Sequence, residues 1–584
     1  MAAHSPQNSQ SAGGIRRYIP ILTWLPRYER SWLSGDIIAG LTLWGLVVPL
    51  GIAFSGIAGL PPQAGLYTLV ASLLVYALFG TSRHLTVAAT SATAALIASS
   101  LVSLGVSQSD PAAYQSAASA LVLVVGAVFL VAGLARLGWV TQFLSKPVMD
   151  GFITGLAIYI AVGQLNKLFG VPKGSGNVFQ KLFAIIKELP EANWVTFAVG
   201  ASALALLFLL PLWNKKIPAG LIVLFGSIAA SLALNLNADY GVAVAGVLPQ
   251  GLPLPALPVV PLNLALSMIL PALGIFLVAF SEALGVAREF GEKHAYEIDP
   301  NQELTAHAMV NFASSLLGGM IGAGSMSQSA VKESAGAHTQ AANVVAWAVT
   351  LLTLLFLTPL FASLPEAVLG ALIIHAVWHL IVSRKLARIR LVSRTEFWLG
   401  VSAFLGVLFI DVLQGMIIGL VASLLLVIYR SSRPHLAALG RVPGVPGAYS
   451  DLQRHPENIP LPGVLIVRLD AQLYYANALT ARDELKALLE QAQPPVQAVI
   501  LDAAGQDALD ITSAETLRGL VAGLKQQGIE IYVAELHAPL REFAARTGLL
   551  QTIGEDHLFP TIDAAVRQVE ATRSSARQAA SENP

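Results

Sequence analysis

The stretch from Gly318 to Gln340 reads "GGMIGAGSMSQSAVKESAGAHTQ" and interrupts a chain otherwise rich in long apolar runs. Lipid offers no hydrogen bonds, so glycine-rich polar backbone at membrane depth survives only where it is buried in protein or lines a wet cavity. An unpaired amide in hydrocarbon costs several kcal/mol. The stretch therefore faces inward. Its glycines permit unwound backbone, and the segment from about Ser327 can start a short helix whose first N–H groups have no intrahelical partner. Free amides and the positive end of the helix dipole make an anion site without a full charge.

Of the 584 residues, 55% are hydrophobic and 12% charged, whereas a typical soluble protein has about 25% charged residues. Mean hydropathy is +0.65. Apolar runs near the roughly 20 residues needed to cross hydrocarbon recur along the chain, as in 120–134, 195–212 and from Phe397 onward, so it reads as a polytopic α-helical membrane protein. Lys plus Arg number 35 and Asp plus Glu 35, a balance with no basic surplus for nucleic acid. The lack of cysteine removes disulfides and thiolate metal sites. The first thirty-odd residues, with "RRYIP" and "PRYER", lack the apolar core of a secretory signal, so the first span is expected to be retained.

With Gly and Pro as punctuation, spans fall near residues 36–59, 65–80, 85–104, 117–137, 144–166, 193–213, 217–235, 265–288, 303–320, 327–336, 341–362, 366–382, 396–413 and 415–430. The third and tenth are poor as full crossings. Basic residues test this count. Arg16, Arg17, Arg27, Arg30, Arg83, Arg136, Lys215, Lys216, Arg288, Lys293, Arg384, Lys385, Arg388, Arg390, Arg430 and Arg433 share one side if the N-terminus is cytoplasmic. The exception is the loop carrying Lys167, Lys173, Lys181 and Lys187. Residues 238–261, rich in Pro and Leu without helical periodicity, connect two halves of seven spans in opposite orientations. Interrupted segments at corresponding places in such halves point to a transporter binding site.

The expected domains are a cytoplasmic segment 1–35, a transport domain 36–430 with repeats near 36–235 and 265–430, a linker 431–459, a soluble domain 460–570, and a disordered tail 571–584. In the soluble part, "GVLIVRLDAQLYYAN", "VQAVILDAA" and "IEIYVAEL" read as strands, and 478–491, 513–527 and 539–548 as helices, which predicts a small α/β domain.

Several motifs resemble the sulfate-permease (SulP) family, solute carrier family twenty-six. They are "DIIAGLTLWGLVVPLGIAFSGIAGLPPQAGLYT", "GTSRHLTVAAT", "LSKPVMDGFITG", "VLPQGLPLP" and "SEALGVAREFGEKHAYEIDPNQEL", in the family order. The tail is similar to a STAS domain, with "LDAAGQDALDITSAETL" at its diagnostic turn. The resemblance implies fourteen segments in two inverted repeats, like the uracil transporter, divided into a core and a gate domain, and it implies homodimers. It places the anion between Ala89, Thr90 and Ser91 of the third segment, Ser325, Met326, Ser327 and Gln328 of the tenth, and the first span. Some members carry Arg where Gln328 stands, so a neutral amide leaves this site less positive. The first-span pattern often has Gln after its Pro and Tyr shortly after. Leu50 and Phe54 stand there instead, so a polar substrate contact is missing and anions other than sulfate are open. Thr512 matches a position phosphorylated in STAS domains of bacterial signalling, beside Asp502 and Asp510; the favoured reading is the N-cap of a helix from Ser513.

Other polar residues carry paired readings. Glu282 matches a family acidic position, and an intramembrane carboxylate is by default functional because ionisation there is costly. It also reads as a structural acid or a span-end residue. Lys332 and Glu333 read as a structural ion pair or a substrate-linked one, and Asp411 as support for the bend before Gly415 or a functional acid. His375 and His379 have the spacing of helical metal ligands without a third ligand at motif spacing, so no metal is expected. The glycines of 318–324 follow no strand and precede no Gly-Lys-Ser/Thr, which argues against a phosphate loop.

No nucleophile and base stand together, so no enzyme is expected. The expected function is secondary active transport of a small anion (sulfate, bicarbonate or dicarboxylate), coupled to H⁺ or Na⁺, by alternating access. The alternatives are an uncoupled anion channel or exchanger, and a nucleobase permease on the same fold. Expected partners are the anion, the bilayer and a second copy, with no other cofactor. The expected location is the inner (plasma) membrane, with the N-terminus and STAS domain cytoplasmic.

Overall fold

Proline and small polar residues set where the helices begin. Asp110 accepts hydrogen bonds from the amides of Ala112 and Ala113 with Pro111 behind it, and Asp299 does the same for Asn301 and Gln302 with Pro300 behind it. Each cap satisfies amides that a helix cannot satisfy itself, and proline at the first position loses no bond. The computed structural model describes residues 19–139, 145–172, 174, 176–213, 219–247, 249–381 and 385–581. The expected basic positions Arg16, Arg17, Lys173, Lys215, Lys216 and Arg384, and the side chains of His379 and Lys385, lie outside the described residues.

The first half contains α1 (Leu33–Ala58), α2 (Gln63–Phe79), a short strand β1 (Val87–Ala89), α3 (Ser91–Ser103), α4 (Pro111–Leu134), α5 (Lys146–Phe169), α6 (Trp194–Trp213) and α7 (Ala219–Ala233). The second half repeats the series with α8 (Ile269–Lys293), α9 (Pro300–Leu316), β2 (Gly322–Gly324), α10 (Met326–Ser334), α11 (Ala341–Leu352, continuing in irregular turns to Ser363), α12 (Glu366–Ile381), α13 (Arg394–Phe409) and α14 (Val412–Ser431). Among the described residues seven of these helices are long and apolar enough to cross a membrane: α1, α4, α5, α6, α8, α11 with its continuation, and α14. The nine residues of α10 rise only about 14 Å, half a crossing.

Packing repeats with the halves exchanged. α9 packs on α4 as α2 packs on α11, and α13 on α5 as α6 on α12. α1 touches β1 and α10, and its counterpart α8 touches β2 and α3. One group comprises α1–α4 with α8–α11, the other α5–α7 with α12–α14. These are the core and gate of an inverted-repeat membrane fold. Where α5 meets α13, Gly400 lies against the backbone of α5, and a Cβ there would stand 2.7 Å from the carbonyl of Pro147. Glycine lets the backbones approach, which is how helices associate where lipid gives no hydrophobic drive.

The exceptional lysine loop proves to hold an amphipathic helix, Val178–Glu188. Phe179, Leu182, Phe183 and Ile186 form an exposed stripe at helical spacing, the pattern of a helix lying at the membrane interface. Two of the loop's lysines are engaged: Lys181 stands 3.6 Å from the centre of the Tyr159 ring, and Lys167 is 3.8 Å from Glu366.

The chain divides into two compact units, Met1–Ser423 and Leu424–Pro584. In the second, β3 (Leu436–Arg441), β4 (Tyr449–Asp451), β5 (Val464–Leu469), β6 (Ala498–Asp502), β7 (Glu530–Ala534) and β8 (Leu558–Phe559) form a sheet in the order β4-β3-β5-β6-β7-β8. β5 to β8 are parallel, and β3 is antiparallel to both β4 and β5. α15 (Ala478–Gln491), α16 (Ile511–Gln526), α17 (Ala538–Arg546) and α18 (Ile562–Ser581) complete the domain. Two expectations need correction. Residues 431–459, expected as a linker, hold β3 and β4, whose backbone is paired into the sheet. Residues 571–581, expected as part of a disordered tail, continue α18, where Ala565, Val566 and Val569 anchor the helix in a core with Ile466 and Ile500; residues 582–584 lie outside the described residues.

Candidate anion site

β1 and β2 pair antiparallel, Val87 with Gly324, Ala88 with Ala323 and Ala89 with Gly322. Each strand feeds a helix two residues on, and because the strands are antiparallel the helices leave in opposite directions. Their N-termini are therefore opposed across a ladder three residues long. The approach is close: a Cβ on Gly324 would fall 2.7 Å from the Cα of Ala283 on α8.

Both helix starts are capped by short hydroxyls. Thr90 accepts from the Thr93 amide at 3.2 Å, and Thr93 Oγ1 in turn donates to the Ile321 carbonyl at 3.2 Å, tying the start of α3 to the approach of β2. Ser325 caps α10, and its amide donates to the Thr86 carbonyl at 3.0 Å. Gln328 Nε2 donates to the Ala89 carbonyl at 3.3 Å, linking the two halves, while its buried Oε1 has no partner among the described residues. The amides of Ser91, Ala92, Met326 and Ser327 likewise have no protein acceptor among the described residues. Met326 and Ser327 are exposed in the middle of the fold, so they border open space.

The expected site residues thus come together around one ladder: Ala89, Thr90 and Ser91 on one side, and Ser325, Met326, Ser327 and Gln328 on the other. Leu50 and Phe54 lie on α1, which packs on β1, and both belong to the apolar cluster that includes Ala89 and Ala92. Pro49 just before them cannot donate to the carbonyl one turn back, which breaks the hydrogen-bond ladder of α1 at this depth.

Glu282 sits in the middle of the 25-residue α8, which ends in the charged run Arg288 to Lys293. Its neighbour Ala283 abuts Gly324, one residue before the α10 cap. Among the described residues no donor or cation pairs with its carboxylate. A second buried acid shows the contrast: Glu303 accepts from Tyr76 Oη (2.9 Å), Thr81 N (2.7 Å), Thr81 Oγ1 (2.6 Å) and Ser82 N (3.3 Å). Glu303 is fully satisfied and structural.

The expected Lys332–Glu333 pair does not form. Successive residues on a helix point to different faces, and Glu333 pairs instead with Lys293 at 2.6 Å and His294 at 2.9 Å. Lys332 is buried among neutral acceptors. Asp411 accepts from the Val412 amide at 2.8 Å, at the start of α14, and from Ser99 Oγ of α3 at 2.8 Å. His375 lies edge-on to Phe208, with centroids 4.9 Å apart.

In the second unit, Thr512 is not the cap of its helix. Asp510 is, accepting from the Ser513 amide at 2.8 Å and also from Tyr475 at 2.6 Å. Burial alone would raise the Asp510 carboxyl, but these hydrogen bonds outweigh it and hold the group below the usual carboxylate range. Thr512 is exposed in the first turn. The sequence signal for the true cap was an Asp three residues before Ser513.

Opposed half-helices joined by a ladder between inverted repeats define a membrane transporter of the core-and-gate class. The sequence profile of the sulfate permease family matches residues 33–403, and that of the STAS domain residues 455–565. The chain is 33% identical to a probable sulfate transporter of Mycobacterium tuberculosis, with 94% of this chain and 99% of the relative covered. Its fold is similar to that of a murine solute carrier 26 family anion transporter in the inward-facing state, with a TM-score of 0.88 at 24% identity, covering 97% and 96% of the two chains. It is also similar to the transmembrane domain of a cyanobacterium bicarbonate transporter, with a TM-score of 0.59 at 23% identity, covering 68% and 98%. The chain belongs to the sulfate permease family, a family of sulfate and other anion transporters.

Proposed function

We propose that the chain is a secondary active transporter of a small anion: sulfate and bicarbonate are the candidates its relatives' names suggest, and a dicarboxylate is a third that the site chemistry admits. The observation that carries this reading is the set of free amides at Ser91, Ala92, Met326 and Ser327, opposed across the β1–β2 ladder beside open space. Two positive dipole ends there attract an anion while leaving it removable. Leu50 and Phe54 form an apolar wall, and Gln328 adds a neutral contact. No bond of the anion is broken, so the protein is a carrier and not an enzyme.

Glu282 carries the coupling ion, H⁺ or Na⁺. An intramembrane carboxylate without a protein donor is neutralised by what it binds. Alternating access then moves the core, with the ladder, past the gate. The N-terminus and STAS domain face the cytoplasm across the cell's inner membrane, and the working unit is a homodimer. The deciding experiment is uptake of labelled sulfate, bicarbonate and succinate into proteoliposomes with and without imposed H⁺ and Na⁺ gradients. Gradient-driven accumulation of one anion is expected; equilibration without accumulation under every gradient would favour the second reading, an uncoupled exchanger or channel. That reading draws on the neutral Gln328, which holds the anion without a fixed charge of its own.

A further inference from the structure

Lys332 lies four residues after Gln328 on α10, on the same face and one turn further from the opposed helix ends. Its side chain is 0% exposed. Nζ donates to the Leu85 carbonyl at 3.1 Å and to Asn343 Oδ1 at 3.0 Å, both neutral acceptors. The surrounding acids are taken: Glu333 by Lys293 and His294, and Asp36 by the amides of His338 and Thr339 and the hydroxyls of Thr339 and Tyr28. Lys332 has no ion-pair partner among the described residues.

A buried ammonium hydrogen-bonded only to neutral groups is costly; the Asp36 carboxylate acts on its charge without pairing with it, and an anion at the helix ends offsets more of that cost. The geometry brings one within reach. Helical side chains lean toward the N-terminus, so the ammonium sits closer to the free amides than its Cα does. Asn343 Oδ1 also accepts from Thr86 Oγ1 at 3.4 Å, and the Thr86 carbonyl accepts the amide of the α10 cap, Ser325, at 3.0 Å. The Thr86 amide donates to Ser329 Oγ at 2.8 Å, so Thr86 joins the ammonium's shell to both turns of α10.

We propose that Lys332 is the fixed positive charge of the anion site, acting from beneath α10, and that it sets the preference for divalent over monovalent anions. The proposal rests on the anion lying at the two half-helix ends. Those ends supply about half a charge each, enough for a monoanion. When protonated, the ammonium adds a whole charge, and the site then balances a dianion. An ionised Glu282 cancels that addition and a protonated one does not, which ties a proton to the divalent cargo.

The test is binding of sulfate and of nitrate to the purified full chain in lipid nanodiscs, measured for the native protein, Lys332→Met, the charge-relocated pair Gln328→Lys with Lys332→Met, and Ser327→Trp. One unit charge about 10 Å away at an effective dielectric near 20 corresponds to about tenfold in affinity per ligand charge. Lys332→Met is therefore expected to lower the sulfate-to-nitrate affinity ratio by about tenfold, and the relocated pair to restore it. An unchanged ratio in folded Lys332→Met overturns the proposal, provided that Ser327→Trp blocks both anions. If Ser327→Trp blocks neither, the placement of the anion itself is wrong. Should Lys332→Met fail to fold, the relocated pair decides: a restored ratio supports the charge role. A folded pair with a low ratio, or failure of both variants to fold, assigns Lys332 to the structure of the core and overturns it.

Discussion

At the scale of single residues, the proposed anion site depends on what is left unpaired. Ser327 offers a free amide beside open space, so Ser327→Trp is expected to fill that space and weaken anion binding at least tenfold while the protein stays monodisperse; unchanged apparent affinity would move the site elsewhere. Glu282→Gln should abolish gradient-driven accumulation and retain exchange, because the amide cannot change charge. Full accumulation by this variant would remove Glu282 from coupling. In the STAS domain the carboxylate of Asp510 caps α16, and loss of such a cap costs about 1 kcal/mol. Its folded-state value is depressed, so the stabilisation is present above the ordinary carboxylate value of about 3.9 and is lost as pH falls through the lower folded value. Asp510→Ala is expected to lower the melting temperature of the STAS transition by a few degrees at pH 7, and by progressively less as the pH is taken below 4.

Elements were legible where one physical rule governs them. Hydropathy and proline placed fourteen segments, and the glycines and serines of 318–328 marked α10 as a half-helix, because lipid punishes irregular backbone wherever it is not enclosed. Partners across the fold were not legible. Lys332 and Glu333 are adjacent in sequence, yet Lys332 donates to Leu85 and Asn343 while Glu333 accepts from Lys293 and His294, partners that no local pattern links. β3 and β4 were missed because the short apolar β3 follows a helix and is separated by the Pro-rich turn 442–448 from β4, whose three residues carry no apolar alternation, and pairing alone makes them strands. The contact of Ser99 on α3 with Asp411 and the Leu413 amide at the head of α14 joins core to gate. Cysteines at Ser99 and Leu413 joined by a short bifunctional reagent are expected to stop turnover while anion binding persists; conductance surviving the crosslink would favour a channel.

For the whole molecule, the sheet begins at Leu436, so removing the second domain cleanly means ending the chain near Pro434, before β3. A cut at residue 460 would leave β3 and β4 without β5. The shorter chain is expected to lose abundance or turnover while keeping anion affinity within about twofold, since every residue around the ladder precedes α14. A large loss of affinity in monodisperse truncated protein would refute that division of labour.

The ladder also imposes an order on biogenesis. Ala89 pairs with Gly322, so the first strand is made and inserted long before its partner leaves the ribosome. Until then, β1 and the open start of α3 hold unpaired amides at a depth where each is costly, and contacts so distant in sequence form slowly. The nascent chain thus passes through a stage in which α3 is the least stable part of the membrane domain, sheltered by α1, α2 and α4 or by an insertase. Synthesis of β2 and α10 ends that stage, and the two opposed helix starts of the proposed anion site come together in that step, before α11 completes the core.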